Sequence, residues 1–272
     1  MVRALWSGAS GMIAQQTNVD TIANNIANVN TVGYKTEQNE FKSLLYQEIQ
    51  TRTTSANGIQ KPVGAQVGLG VRNASITSEF TQGAFQASES QTSFAISGEG
   101  FFAVDNNGQT TYTRNGDFHF AIGPGNQMYL TTSEGYPVLN TAGQPINIPA
   151  DYISSKVSVD ADGQLSYPDE NNNLQPIAGM KIGLYQFQNA SGLFKTGGTF
   201  YIPTESSGPA LNEETNEALT KSVVRQGYLE ASNVQVADEM VNLIIAQRAY
   251  ELNSKVITTS DSMLQVANDL KR

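Results

Sequence analysis

Apolar side chains recur at an unbroken seven-residue spacing through the last part of the chain, and this limits the available folds more than any other feature. Val236, Leu243, Tyr250, Ile257 and Leu264 follow one another by sevens, with Val256, Met263 and Leu270 as an adjacent row on the same side. Seven residues is close to two helical turns, so these rows form a stripe along one helix. Ser232 or Asn233 can cap its start, Asp238 and Glu239 lie in its first turns, and Lys271-Arg272 lie at its end, as the helix dipole favours. A helix of about 36 residues is roughly 54 Å long. It is too long to bury its stripe on a compact domain of this size, so it needs another helix beside it.

The start of the chain supplies one. Leu5, Met12, Val19 and Ile26 are spaced by sevens, and Ile22 with Val29 makes a second row. The pattern predicts a helix from about Arg3 to about Asn28, ended by Asn28-Val-Asn-Thr-Val-Gly33, where Gly33 can take a positive φ. Between Ala4 and Tyr34 the only charge is Asp20; the face away from the stripe carries Gln15, Gln16, Asn18, Asn24, Asn25 and Asn28. Helices that face water usually carry Lys and Glu, whereas amides both donate and accept. This face therefore predicts a helix sheathed on all sides, with Asn24, Asn25 and Asn28 bonding between subunits.

Between the helices the period changes to two, with glycine punctuation. Phe94 and Ile96 alternate, Phe102 and Val104 precede Asn107-Gly108, and Tyr112 precedes Asn115-Gly116 and then Phe118, Phe120 and Ile122. Val157 and Val159 lead into Asp160-Ala-Asp-Gly163, Leu165 and Tyr167 follow, and residues 182–187 read as another strand. Asn-Gly and Asp-Gly tolerate the positive φ of tight turns, so these are hairpin signatures. Gln50 to Gly70 reads as a polar connector, compatible with one extended hairpin, and Glu205 to Leu219 as an acidic surface loop.

The fold expected is α+β, with long N- and C-terminal helices paired as a coiled coil, parallel or antiparallel, and an inserted mainly antiparallel β domain. Residues 1–45 and 225–272 form the terminal helical domain, 46–91 an extended connector or hairpin, and 92–224 the β-rich outer domain. A chain of 272 residues with 39% hydrophobic content can bury such a core. Its net charge of −9 falls almost wholly in residues 46–224, which hold 8 basic and 16 acidic side chains, while both ends are nearly neutral. That balance argues against nucleic acid or an anionic membrane as the main partner.

Catalytic chemistry has little to work with. There is no cysteine for thiol catalysis, zinc–thiolate ligation or disulfides, and the single imidazole, His119, falls on the polar face of a strand. Gly98-Glu-Gly-Phe-Phe-Ala103 matches a dinucleotide fingerprint in outline, but strand residues follow where a helix is required. Asp160-Ala-Asp-Gly163 matches part of a calcium loop yet lacks the distal Glu. Neither pattern assigns a catalytic residue, cofactor or metal. A second reading, a glycan-binding or glycan-cleaving β module, would keep its activity without the helices. The apolar stretch from Ala4 to Ala14 is broken by Ser7, Gly8, Ser10 and Gly11, so it reads as neither a signal-peptide core nor a membrane span.

Specific sequences at both ends then narrow the choice. Ala23-Asn-Asn-Ile-Ala-Asn-Val-Asn-Thr-Val-Gly-Tyr-Lys35 resembles the N-terminal signature of the bacterial flagellar axial proteins that build rod and hook. Residues 226–236 and 239–255 resemble its C-terminal counterpart, and Ile96-Ser-Gly-Glu-Gly-Phe-Phe102 with Tyr112-Thr-Arg-Asn-Gly116 extends the similarity into the β region. Leu44-Leu-Tyr-Gln47, Gly64-Ala-Gln-Val-Gly-Leu-Gly-Val71 and the connector between them are similar to distal-rod members of that family. The resemblance implies a non-enzymatic structural subunit of the distal rod, with a sibling proximal-rod or hook protein as the alternative within the family, exported by the flagellar type III apparatus without signal cleavage. It implies assembly with itself into a rigid helical homopolymer that transmits torque, with neighbouring rod and hook proteins and the surrounding bushing rings as further partners. The expected polymerisation interface is Leu5, Met12, Val19, Ile22, Asn24, Asn25, Ile26, Asn28, Val29, Val236, Met240, Leu243, Tyr250, Ile257 and Leu264.

Overall fold

The computed structural model describes residues 2–50, 64–123, 127–149, 152–169, 173–216 and 218–270. The fold is α+β. Helix α1 spans Val2–Ala27 and helix α2 spans Val236–Asp269, with antiparallel β sheets between them in sequence. The chain divides into two compact units, one of residues 1–27, 37–77 and 235–272, the other of residues 28–36 and 78–234.

In the helical unit α1 and α2 pack side by side and run antiparallel. A Cβ on Gly8 would lie 3.0 Å from Ile257 Cγ1, one on Gly11 would lie 2.8 Å from Asn253 Nδ2, and Asn25 bonds Glu239. Positions rising along one helix thus meet positions falling along the other. A helix-interior glycine costs about 1 kcal/mol relative to alanine; at Gly8 and Gly11 that cost is offset by the close approach of α2. Strand Glu37–Ser43 pairs with Val71–Ser78, and Tyr46–Gln50 forms an antiparallel ladder with Ala65–Gly68. The tip of the expected connector hairpin, residues 51–63, lies outside the described residues. Gly70, at φ +110°, sits where a Cβ would come within 2.1 Å of Ser10 Oγ, and that hydroxyl accepts from the Val71 amide at 3.3 Å.

Helix α2 starts differently from the expected caps. Its N-cap is Gln235, whose side chain makes no capping bond. Asn233 is engaged elsewhere, accepting from the backbone N–H and the hydroxyl of Thr36 and donating to Glu79 O, while Ser232 Oγ accepts from the Val234 amide. Tertiary partners have taken Asn233 and a local turn has taken Ser232, and Asp238 and Glu239 in the first turn are left to complement the dipole. The residues expected at its basic end, 271–272, lie outside the described set.

The β unit is built around a six-stranded antiparallel sheet. Its order is Phe194–Gly197, Phe200–Ile202, Gln109–Thr113, Phe101–Asn106, Leu184–Gln186 and Leu211–Asn212. Two three-stranded antiparallel sheets accompany it, one centred on Met128–Thr132 and one on Gln164–Pro168. Phe102 packs with Phe94, Ile96, Phe118 and Leu130 in one cluster, while the next residue back, Phe101, packs with Tyr112, Leu139 and Tyr201 in another. Successive strand residues point to opposite faces, so the sheet is covered on both sides and Phe101-Phe-Ala-Val104 is buried throughout.

The turn chemistry is as expected at two places. Asn107 and Gly108, at φ 55° and 89°, close the hairpin between Phe101–Asn106 and Gln109–Thr113, and Gly163, at φ 79°, turns the chain into Gln164–Pro168. Asn115-Gly116 is a correction, because the flanking strands do not pair: Phe118–Ile122 pairs with Met128–Thr132. Gly116 is needed instead because a Cβ there would fall 1.7 Å from the Phe94 carbonyl oxygen, which lies beside the chain. The loop expected to be acidic surface also turns partly inward. Glu213 is buried and accepts from Gln186 Nε2, Ser222 N and Ser222 Oγ, each at 2.8 Å.

Candidate polymerisation interface

The helices place the expected interface residues in three environments. Ile22 and Asn25 are buried in the protomer; Leu5, Met12, Val19, Ile26, Asn28, Val29, Leu243, Ile257 and Leu264 are half-buried; Asn24, Val236, Met240 and Tyr250 are exposed. Asn25 donates to Glu37 O at 2.9 Å and to Glu239 Oε1 at 3.3 Å and accepts from the Glu37 amide at 2.9 Å. Its amide pins the strand after α1 and the start of α2 onto α1, so it staples one protomer internally. Asn24 reaches Glu37 Oε2 at 3.4 Å, and Asn28 accepts from the Thr31 hydroxyl at 3.1 Å.

Seen along α2, the side chains facing α1 form two rows, Leu243, Tyr250, Ile257 and Leu264, and Glu239, Ala246, Asn253 and Ser260. These are offset by three and four residues, the pattern of a two-helix seam. Small and polar members allow close approach, with Ala246 at 1% and Ser260 at 7% exposure. Burial pushes the Glu239 carboxyl above its usual range, Asn25 opposes this by donating to it, and Asp238 reinforces it.

A second seam lies beside the first. Asn242, Ala249, Val256, Met263 and Leu270 form one row, and Ile245, Leu252, Thr259 and Val266 the other, again three and four apart. Displaced by one residue, it is turned about 100° around the helix from the seam that holds α1. The row Val256, Met263 and Leu270, expected on the same side as the first, is therefore turned away from α1, because a seven-residue repeat preserves the one-residue offset at every heptad. The second seam is bare. Ile245 is 62% exposed, Leu252 61%, Met263 56%, Val266 60% and Leu270 84%. On α1, Trp6 and Ile13, seven residues apart, are 68% and 67% exposed.

Among the described residues no group of three His, Cys, Asp or Glu could hold a metal ion, and no helix is long and apolar enough to cross a membrane. His119 is exposed on its strand, Gly98 lies between the strands Phe94–Ser97 and Phe101–Asn106, and Asp160 and Asp162 belong to a hairpin turn. Helix α2 thus carries a long exposed apolar face beside the one that meets α1.

Three parts of the chain match known protein families. Residues 5–35 match the family described as "Flagella basal body rod protein", residues 95–167 "Flagellar hook protein FlgE/F/G D1 domain" and residues 225–270 "Flagellar basal body rod FlgEFG protein C-terminal". The chain is 42% identical to the flagellar basal-body rod protein FlgG of Borreliella burgdorferi and 38% identical to that of Bacillus subtilis, covering 100% of all the chains concerned. It is 39% identical to the corresponding Caulobacter vibrioides protein, over 99% of this chain and 100% of that one. With family matches at both helices and within the β unit, and relatives alike from end to end, the chain belongs to the flagellar basal-body rod protein family and is a structural, non-enzymatic component of the basal body.

Proposed function

We propose that this distal-rod subunit polymerises into a rigid helical tube through its terminal helices, and that the bare second seam of α2 is where a helix of the next copy docks. The observation that carries the reading is that seam: a continuous heptad pattern whose large apolar members are more than half exposed along most of its length. Burying each such side chain stabilises by about 1.5–3 kcal/mol, and a polymer repeats the gain at every subunit. In this reading α1 and α2 pair as a coiled coil, and within the expected polymerisation domain of residues 1–45 and 225–272 the docking falls to the helical unit, residues 28–36 and 225–234 being part of the β unit; 46–91 is a stiffening connector and 92–224 the outer domain.

Val236 and Met240 extend the apolar surface at the start of α2, and half-buried Leu5, Met12, Val19 and Ile26 complete their burial only when neighbours dock. The tube carries torque towards the hook, with adjoining rod and hook proteins at its ends and bushing rings around it. The subunit reaches the rod through the flagellar export apparatus without signal cleavage. Sedimentation and electron microscopy of concentrated full-length protein, seeded with isolated basal bodies, test the assembly. Wild type should form tubes while Leu252→Asp/Val256→Asp stays soluble and helical; tubes from the double variant at the wild-type concentration contradict the reading.

A further inference from the structure

Within the β unit, three charged side chains distant in sequence meet with almost no solvent. Lys35 and Glu230 are 0% exposed and Arg114 is 2% exposed. Lys35 Nζ donates to Glu230 Oε1 and to the Thr81 carbonyl, both at 2.6 Å, and the Gly83 amide donates to the same Oε1 at 2.9 Å. Arg114 Nη1 lies 3.5 Å from Glu230 Oε2, with its guanidinium 4.9 Å from the centre of the Phe101 ring. Burial pulls both cations below their usual ranges, and Glu230 opposes this most strongly for each. Backbone bonds follow the same junction. The Gly33 amide donates to Glu230 O at 2.8 Å and the Ala231 amide to Ala84 O at 2.9 Å. A Cβ on Gly83 would lie 2.0 Å from Ala231 O.

One carboxylate near the end of the chain is thus the direct counter-ion for a cation near its start and another in its middle. Without it, Lys35 and Arg114 would have to be buried unpaired, which is far costlier than leaving them in water. We infer that Glu230 is a folding latch: residues 33–36, 81–84 and 228–233 close together in one late step, so the β unit is completed only once the last segment of the chain is available. The inference does not depend on assembly, because the cluster lies wholly within the β unit.

Pulsed hydrogen exchange during refolding of dilute full-length protein tests it. In wild type, 33–36, 81–84 and 228–233 should gain protection in a single phase, at least tenfold slower than Phe101–Asn106. In Glu230→Gln all three segments should exchange faster together by tenfold or more at equilibrium, while Phe101–Asn106 keeps its protection. The charge-free variant Lys35→Met/Arg114→Met/Glu230→Leu should close without the slow phase. The latch is overturned if 33–36 and 81–84 become protected before 228–233, or if Glu230→Gln affects 228–233 alone. It is equally overturned if Glu230→Gln and the charge-free variant both lose protection across the whole β unit, since Glu230 would then be an ordinary core residue.

Discussion

The β unit and the helical unit treat their apolar residues in opposite ways. In the former, Phe101, Phe102, Ala103 and Val104 are consecutive and none is more than 1% exposed. In the latter, α2 buries only Glu239, Ala246 and Ser260, while Ile245, Leu252 and Val266 stand 60% or more exposed. A monomeric soluble protein rarely leaves so long an apolar face uncovered. The difference teaches that the β unit closes its core within one chain, whereas the helical unit leaves an apolar face open, the face that the proposed assembly would cover. A rod subunit assembling as proposed uses both, a body that holds its shape and a face that its neighbours would finish.

Substitutions in the two units should accordingly read out in different assays. Phe102→Ala removes a side chain at the centre of the β core and should cost about 3–5 kcal/mol in thermal or denaturant unfolding of that unit. Equal stability of variant and wild type would mean that the sheet does not depend on this cluster. Leu252→Ala should change monomer unfolding by less than about 0.5 kcal/mol, as a surface change does. It should also raise the concentration needed for assembly by about ten- to a hundredfold, the equivalent of losing about 1.5–3 kcal/mol per contact. An unchanged assembly threshold would remove Leu252 from the interface and break the contrast between the units.

Smaller effects sharpen the description of the helix pair. Gly8→Leu forces a side chain towards Ile257 and should destabilise the pairing by about 1–3 kcal/mol, seen as faster amide exchange in both helices. Unaltered exchange would place the helices further apart than described. Glu239 gives the smallest effect. Its folded carboxyl titrates above the ordinary 4.5, so the folded state holds its proton more tightly and helix-pair stability falls as pH rises from 4.5 through the folded value. Glu239→Gln should abolish that decline and match or exceed wild type above the window. A variant that tracks wild type across the same pH range would show that Glu239 is not the group responsible.

Much of this was legible in the sequence where local chemistry decides the outcome. The sevenfold rows specified both helices, Asn107-Gly108 specified a tight hairpin, and the end signatures specified the family. Reading stopped short where the deciding partner was remote. Asn115-Gly116 has the composition of a hairpin turn, but the Phe94 carbonyl, from a strand earlier in the chain, explains its glycine. Asn233 looks like a helix cap until Thr36 occupies its carbonyl. Asn25 looks like a group for a neighbouring subunit until Glu37 and Glu239 claim its amide. Val256, Met263 and Leu270 are apolar on either reading, and only the position of α1 on α2 shows that they belong to a second, uncovered seam.

Because the sequence contains no cysteine, a single introduced thiol reports cleanly on that seam. The most direct test is maleimide labelling of full-length Leu252→Cys, dilute and after assembly into tubes. The thiol should react readily in dilute protein and become protected by at least tenfold in tubes, while a Phe194→Cys control on the exposed edge strand of the β unit remains reactive in both. Equal reactivity of residue 252 in dilute protein and in intact tubes would contradict the assignment of the second seam as the docking face.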